Sequence, residues 1–294
     1  MMKKLLYQFD TDGIPSVFDN VVGYDGGADR ITALGGVNAG NVGGLVEGAI
    51  FTRGAKDKKN TAIFIGGGNM IEGESVLAAV RKKFFAKFRV SVMFDSNGCN
   101  TTAAAAVAWL AHGRDLAGKR AVVLAGSGPV GQRAAVLLAR EGATVAITGR
   151  KREVVQAACD RIHSRFGIVV EGIEAPGNIE RAAAIEAAQI LLATGAAGIT
   201  LLNAGQWQDS ATLELVADAN ASPPAGVEGV GANDRGTVSH GKILFGSLGF
   251  GALKLALHRA CITRMFEQSD LLLDAEEIFA IAKTMVEKRS DSKD

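Results

Sequence analysis

Short apolar runs alternate with helical patterns along the first third of the chain. Lys4–Phe9, Ala49–Thr52, Thr61–Gly66 and Val90–Phe94 have the length and composition of buried strands. Pro15–Tyr24, Val42–Glu47 and Asn69–Lys87 carry apolar residues at helical spacing. Such alternation builds a parallel or mixed sheet covered by helices. Asn97–Thr102 sets polar side chains and a glycine ahead of the apolar run Ala103–Leu110, which marks a helix start.

A second α/β pattern begins near Leu116. It reads as strand Arg120–Ala125, helix Pro129–Glu141, strand Thr144–Thr148, helix Arg152–Phe166 and a short strand Ile168–Glu171. Helix Ile179–Ala188 and strands Ile190–Thr194, Leu213–Asp218 and Lys242–Ser247 follow, then helices Gly251–Phe266 and Ala275–Lys288. Arg289–Asp294 is a polar tail expected to fray. The fold class is α/β with two domains: an N-terminal α/β domain from residues 1–105 with 268–294, and a Rossmann-type doubly wound parallel sheet over 106–267.

Composition narrows the function. With 48% hydrophobic and 21% charged residues, the 294-residue chain has the balance of a globular protein with room for two cores. Gly is frequent (37) and Pro scarce (5), as suits many strand-to-helix turns. The formal net charge of +1 gives no reason to expect nucleic acid or an anionic membrane as partner. Cys99, Cys159 and Cys261 are too scattered for a disulfide framework or a zinc site, so no metal is expected and the thiols point to the cytoplasm. The Lys-containing start resembles a signal peptide, but its apolar run is broken by Gln8 and Asp10, which favours a first strand. No apolar run approaches the ~18 residues of a membrane span.

The strongest motif is Gly126-Ser127-Gly128-Pro129-Val130-Gly131, directly after an apolar strand and at the mouth of a helix. Gly126 permits the tight turn, Gly128 the approach of a pyrophosphate, and Gly131 close helix-to-strand packing. The helix start then offers N–H groups and partial positive charge to phosphates. At the end of the second strand, NAD enzymes usually carry an acid for the ribose 2′-hydroxyl. Here stand Arg150, Lys151 and Arg152, with no carboxylate before Glu153, so the expected cofactor is NADP. The alternative is a solvated basic helix start. Thr194, Gly195 and Asn220 are further candidates for cofactor contact.

Several chemistries are absent. The tyrosines Tyr7 and Tyr24 are followed four residues later by Thr11 and Ala28, so the Tyr-x-x-x-Lys proton donor of short-chain dehydrogenases is missing. No zinc-ligand spacing and no phosphate loop ending in Gly-Lys-Ser/Thr is present.

At Leu5–Asp29 (LLYQFDTDGIPSVFDNVVGYDGGAD) the chain resembles bacterial NADP-dependent methylenetetrahydromethanopterin dehydrogenase, which also accepts methylenetetrahydrofolate. The likeness continues through TAIFIGGGNM (Thr61–Met70), FDSNGCNTTAAAA (Phe94–Ala106), VVLAGSGPVG (Val122–Gly131) and TGRK (Thr148–Lys151). It returns at ADANASPPAG (Ala217–Gly226) and GALKLALHRACI (Gly251–Ile262). The resemblance implies two domains around a cleft, with NADP on the carboxyl side and the pterin held mainly by the amino-terminal domain. It implies hydride transfer from the methylene bridge to nicotinamide, giving a methenyl cation, in a homo-oligomer, a trimer.

The family's site Phe, Thr, Lys and His fall on Phe18, Thr102, Lys254 and His258. Hydride transfer between flat rings needs positioning more than a proton-transfer dyad. Phe18 can pack on the pterin, or be an ordinary core residue. Thr102 can contact substrate or cap its helix. Lys254 and His258 are spaced i, i+4 and so share a helix face. Asp19, Asp25, Asp29 and Asn97 are candidate pterin contacts, with capping or solvation as the alternative for the acids. Cys99 stands where the family carries serine, and would make that loop oxidisable. The Tyr-x-x-x-Lys pair of folate enzymes that add cyclohydrolase activity is missing, so dehydrogenation alone is expected. Two alternatives stay open: an enzyme primarily for methylenetetrahydrofolate, and a non-catalytic NADP-sensing module.

Overall fold

The computed structural model describes residues 2–291. In chain order the elements of its first stretch are β1 (Leu5–Asp10), α1 (Val17–Asp25), β2 (Arg30–Leu34), α2 (Val42–Phe51), β3 (Thr61–Gly66), α3 (Met70–Lys83), β4 (Ser91–Phe94) and α4 (Cys99–Ala111). The second α/β stretch runs β5 (Arg120–Leu124), α5 (Pro129–Arg140), β6 (Thr144–Gly149), α6 (Arg152–Phe166), β7 (Glu171–Glu174), α7 (Asn178–Ile185) and β8 (Ile190–Ala193). Then come β9 (Leu215–Asp218), β10 (Arg235–Ser239), β11 (Lys242–Phe245), α8 (Ser247–Met265), β12 (Leu272–Leu273) and α9 (Ala275–Asp291). The frayed tail expected from Arg289 is helical as far as Asp291, and its remainder lies outside the described residues.

The chain divides into two compact units, one of residues up to Thr101 with Leu255–Ile281, the other of Thr102–Lys254 with the segment from Ala282. The sequence pattern instead places the divisions at 105/106 and 267/268. The first unit holds a five-stranded sheet in the order β12-β4-β3-β1-β2, every pairing parallel. Renumbered within the sheet, that is the flavodoxin-like order 2-1-3-4-5, with its switch point between β1 and β3. Its core joins Phe9, Ile63, Ile65 and Phe94 of the strands to Val42, Val46, Ala49 and Ile50 of α2. Those α2 positions recur at helical spacing, so Ala49–Phe51, expected as a strand, continues the helix. A run of four apolar residues does not itself distinguish the two states.

The second unit holds a seven-stranded sheet, β10-β11-β9-β8-β5-β6-β7. All pairings are parallel except the hairpin of β10 with β11. Without that edge strand the order is 3-2-1-4-5-6, the doubly wound arrangement with its crevice between β5 and β8. The strands β5, β8 and β9 are buried along nearly their whole length, as a sheet covered on both faces requires. The edge strand β10, largely exposed, left no apolar signal.

All three cysteines are free and buried, Cys99 and Cys261 at 0% exposure and Cys159 at 7%. Cys99 opens α4 inside the first core, so the oxidisable loop expected there is not formed. Burial pushes the Cys159 and Cys261 thiols up, aided by the charges of Asp160 and Asp95 respectively. The native protein should therefore react slowly with a thiol reagent, and all three thiols should titrate in denaturant. A rapidly reacting native thiol would contradict this burial.

Candidate functional site

The dinucleotide turn is built from the end of β5 upward. Ala125 takes a left-handed φ of 53°, and its N–H donates to Thr148 Oγ1 at 3.1 Å, tying the turn to β6. A Cβ on Gly131 would lie 2.5 Å from Gly126 Cα and 2.7 Å from Thr194 Oγ1, so α5 packs on the turn at a distance only glycine allows. A Cβ on Gly128 would meet nothing nearer than Ala125 O at 3.6 Å. That side is open, and the absence of a side chain there leaves room for a pyrophosphate rather than serving internal packing. Gln132 Nε2 donates to Ser127 O at 2.7 Å and fixes the loop. Pro129 occupies the first turn of α5, where it forfeits no hydrogen bond, and the N–H groups of Val130 and Gly131 have no acceptor within the helix.

Ser127 Oγ lies 3.0 Å from the place a Gly149 Cβ would take, so the hydroxyl faces the end of β6, where exposed Arg150 and Lys151 begin. Arg181 stands near Arg150. Burial lowers the Arg181 guanidinium and the Arg150 charge adds to this, against Glu180. Its own donors are spent on Asn178 Oδ1, Leu201 O and Pro176 O. Thr194 Oγ1 donates to Leu124 O at 3.0 Å, and a Cβ on Gly195 would press on Leu201 at 2.9 Å. These residues therefore fit a dinucleotide: open backbone over the phosphates, and a hydroxyl and two cations at the end of β6.

Asn220 spends most of its amide on its own loop, with one Nδ2 N–H left over. Its Nδ2 donates to Pro224 O, and its Oδ1 accepts from Ser222 N and Gly198 N. It shapes the loop after β9 and also lines the cavity there.

In the first unit, the switch point places the loops after β1 and β3 side by side. Asp10 is fully buried; its Oδ1 accepts Asp12 N at 3.0 Å and its Oδ2 accepts Ser16 N at 2.9 Å. Asp12 Oδ2 accepts Gly68 N at 2.9 Å, lashing the two loops together. Gly67, at φ 100°, sits where a Cβ would strike Thr11 Oγ1 at 2.0 Å. Exposed Asn97, left-handed at φ 59°, donates its N–H to Gly67 O and its Nδ2 to Gly68 O. Asp10, Asp12 and Gly66–Gly68 were not singled out in the sequence; strand-ending FDTDG and GGGN were the available signal.

Ser16 caps α1 by accepting Asp19 N at 3.2 Å, and so sets Phe18 in the first turn at 49% exposure. His258, 1% exposed, lies between Phe18 (ring centroids 6.3 Å apart) and Phe64 (5.2 Å). A Cβ on Gly66 would meet Phe64 at 3.0 Å, Asp19 Oδ2 at 3.3 Å and Asp10 Oδ2 at 3.6 Å. Phe18, His258 and Phe64 thus form an aromatic row beside the carboxylates of Asp19 and Asp10, and the half-exposed Phe18 face suits a flat ring.

The structure does not bring Asp25 and Asp29 there. Asp25 ends α1, about 10 Å along the helix from Phe18, and pairs with Arg259 at 2.6 Å. Asp29 Oδ2 accepts Lys4 N at 2.7 Å. Thr102 is not the cap of α4. Asp95 is: its Oδ1 accepts Asn100 N and Thr101 N, and its Oδ2 accepts the Thr101 hydroxyl at 2.6 Å. Half-buried Thr102 lies one turn into the helix. Lys254 is half-buried on α8 beside fully buried Leu253 and Leu257, one turn before His258.

Among the described residues no group of His, Cys, Asp and Glu could hold a metal ion, and no helix is long and apolar enough to cross a membrane. Two parallel-sheet units, one carrying a glycine turn that fits a dinucleotide, define a Rossmann-type protein with the fold of two-domain dehydrogenases. Quinate dehydrogenase from Corynebacterium glutamicum in complex with NAD shares this architecture, covering 97% of this chain and 99% of its own at TM-score 0.53. At 14% identity the likeness is one of fold alone.

Sequence similarity narrows the class. A family described as methylene-tetrahydromethanopterin dehydrogenase, N-terminal, matches residues 17–97. The chain is 55% identical to the bifunctional protein MdtA of Methylorubrum extorquens across 97% of its own length and 100% of the relative's. It is 31% identical to the NAD(P)-dependent methylenetetrahydromethanopterin dehydrogenase of the same organism, across 96% of this chain and 98% of that one. The chain belongs to the methylenetetrahydromethanopterin dehydrogenase family.

Proposed function

We propose that this protein oxidises methylenetetrahydromethanopterin to its methenyl form with NADP, and that it also accepts methylenetetrahydrofolate. The full-length likeness to a relative named for this reaction carries the reading. The geometry supports it: the turn at Gly126–Gly131 with Arg150 and Lys151 serves NADP in the second unit, and the crevice at the β1/β3 switch point serves the pterin in the first. Asp25 and Asp29 are left out of the pterin set, since each already has a protein partner outside the crevice.

NADP, when bound, supplies a nicotinamide ring that takes a hydride. The chain's own residues have to hold the methylene-bearing ring flat and dry. Phe18 offers a half-exposed face for stacking, and His258, buried against it, keeps that face in place. Asp19 and Asn97 stand at the crevice as hydrogen-bonding partners for the ring's polar edge. No proton transfer is required of any of them, which accords with a site rich in positioning groups. The trimer and the cytoplasmic setting that the resemblance implies belong to the same reading; light scattering on the purified protein tests the first.

The test is NADPH absorbance after mixing enzyme and NADP with each methylene pterin, with NAD as control. Reduction of NADP by the methanopterin derivative, at least about tenfold faster than reduction of NAD, is expected. Failure of both pterins to reduce either nucleotide would overturn the proposal.

A further inference from the structure

Beyond the ends of β9 and β11 lies a cavity of about 210 Å³, walled by Asp218, Asn220, Ser222, Pro223, Val230 and Ser247 among others. All of it belongs to the second unit. Its position is fixed by the sheet. β9 is two strands from β5, hence about 10 Å from the glycine turn, on the side opposite β6. A dinucleotide lying across the crevice with its pyrophosphate at the turn and its adenosine toward Arg150 carries its other end in this direction.

The wall on the α8 side is closely packed. A Cβ on Gly246 would lie 2.0 Å from Gly231 O, and one on Gly249 1.8 Å from Asp234 O, so the start of α8 is pressed against the 231–234 loop. Leu248 N and Gly249 N both donate to Ala232 O. The helix start therefore presents the cavity with a side chain rather than these N–H groups. Ser247 is 6% exposed, and its hydroxyl has no hydrogen-bond partner among the described residues. A buried hydroxyl left without a partner is costly unless something else occupies it.

Asp218 supplies the complement. Its Oδ2 accepts Gly226 N and Val227 N at 2.7 and 3.1 Å, and its Oδ1 accepts Asn220 N at 3.0 Å. A carboxylate has about four acceptor directions, so one remains, on Oδ1. Among its lining groups the cavity thus offers a buried hydroxyl able to donate and a carboxylate position able to accept, which is the pattern a primary carboxamide satisfies.

We propose that this cavity recognises the carboxamide of the cofactor's nicotinamide, Ser247 Oγ donating to its carbonyl and Asp218 Oδ1 accepting from its amide N–H. The inference rests on the NADP reading. Ser247 is then a positioning residue that fixes which way the ring turns, and Asp218 excludes a carboxylate in place of the amide.

The experiment is calorimetric titration of the full chain with NADP, with its nicotinic acid analogue and with 2′,5′-ADP, which lacks the nicotinamide end. Wild type should bind NADP at least about tenfold more tightly than the acid analogue. Ser247→Ala should weaken NADP about tenfold and leave 2′,5′-ADP unchanged, with Ser247→Thr restoring the difference. Equal affinity of wild type for amide and acid would overturn the inference, as would an unchanged NADP affinity in a Ser247→Ala protein that still binds 2′,5′-ADP. If wild type binds neither NADP nor 2′,5′-ADP, the cofactor reading itself fails and takes the inference with it.

Discussion

Changing Arg150 and Lys151 together to alanine is expected to weaken NADP binding about 10²-fold and to leave NAD binding within about threefold. A hydrogen bond to a charged group contributes roughly 1.5–3 kcal/mol, and two would reach about 10²–10⁴-fold. Both cations are exposed, so screening argues for the lower end. Arg150 stands close enough to Arg181 to disfavour its charge, and a 2′-phosphate would relieve that repulsion. NAD, with only a hydroxyl there, gains nothing from either side chain. Calorimetry with both nucleotides at two salt concentrations tests this, and the NADP preference should shrink as salt rises. A parallel loss of both affinities would move the cations to the pyrophosphate or to the fold. No loss at all would return them to an ordinary solvated surface.

The second unit was legible because its signals are local. α6 spans Arg152–Phe166, as its amphipathic pattern predicts, and Gly167 closes it in the left-handed conformation at φ 68°. β5 and β8 are continuous apolar runs because both faces of the sheet are covered. What escaped notice lies at the edges. β2, β10 and β12 terminate or extend their sheets, are short or largely exposed, and carry no strong period.

The candidate sites divide in the same way. The glycine turn and its following cations form two short segments, each nominated as a candidate by its own local spacing. The crevice of the first unit comes from β1 lying against β3 in a 2-1-3-4-5 order, and no local pattern gives that order. Asp10 and Asp12 look like ordinary turn acids until Gly68 is brought beside them. Asp25 lies in the same acidic stretch as Asp19, but helical geometry puts the two about 9 Å apart along α1. Ser247 gave no signal at all, because a serine at a helix start is unremarkable until its hydroxyl is found without a partner.

Lys254→Ala should lower kcat about 10²-fold while the Kd for NADP stays within about twofold. The residue is half-buried on α8 between two leucines with no exposure, an arrangement that keeps the alkyl stem against apolar surface and leaves the ammonium to reach a polar partner. An ammonium is a compact charge with three donors, well suited to hold an acceptor on a substrate ring. Hydride transfer is sensitive to distance, and displacement by about 1 Å can cost 10²-fold. On the proposed reading, removing Lys254 should therefore act on turnover and on the KM for pterin, and spare NADP affinity. Lys254→Arg keeps the charge but changes its reach, so partial activity is expected there. Steady-state kinetics with saturating NADP, alongside calorimetric NADP binding, separate the cases. An unchanged kcat in Lys254→Ala would remove the residue from the site. A joint loss of turnover and NADP affinity would place it on the cofactor or in the support of α8.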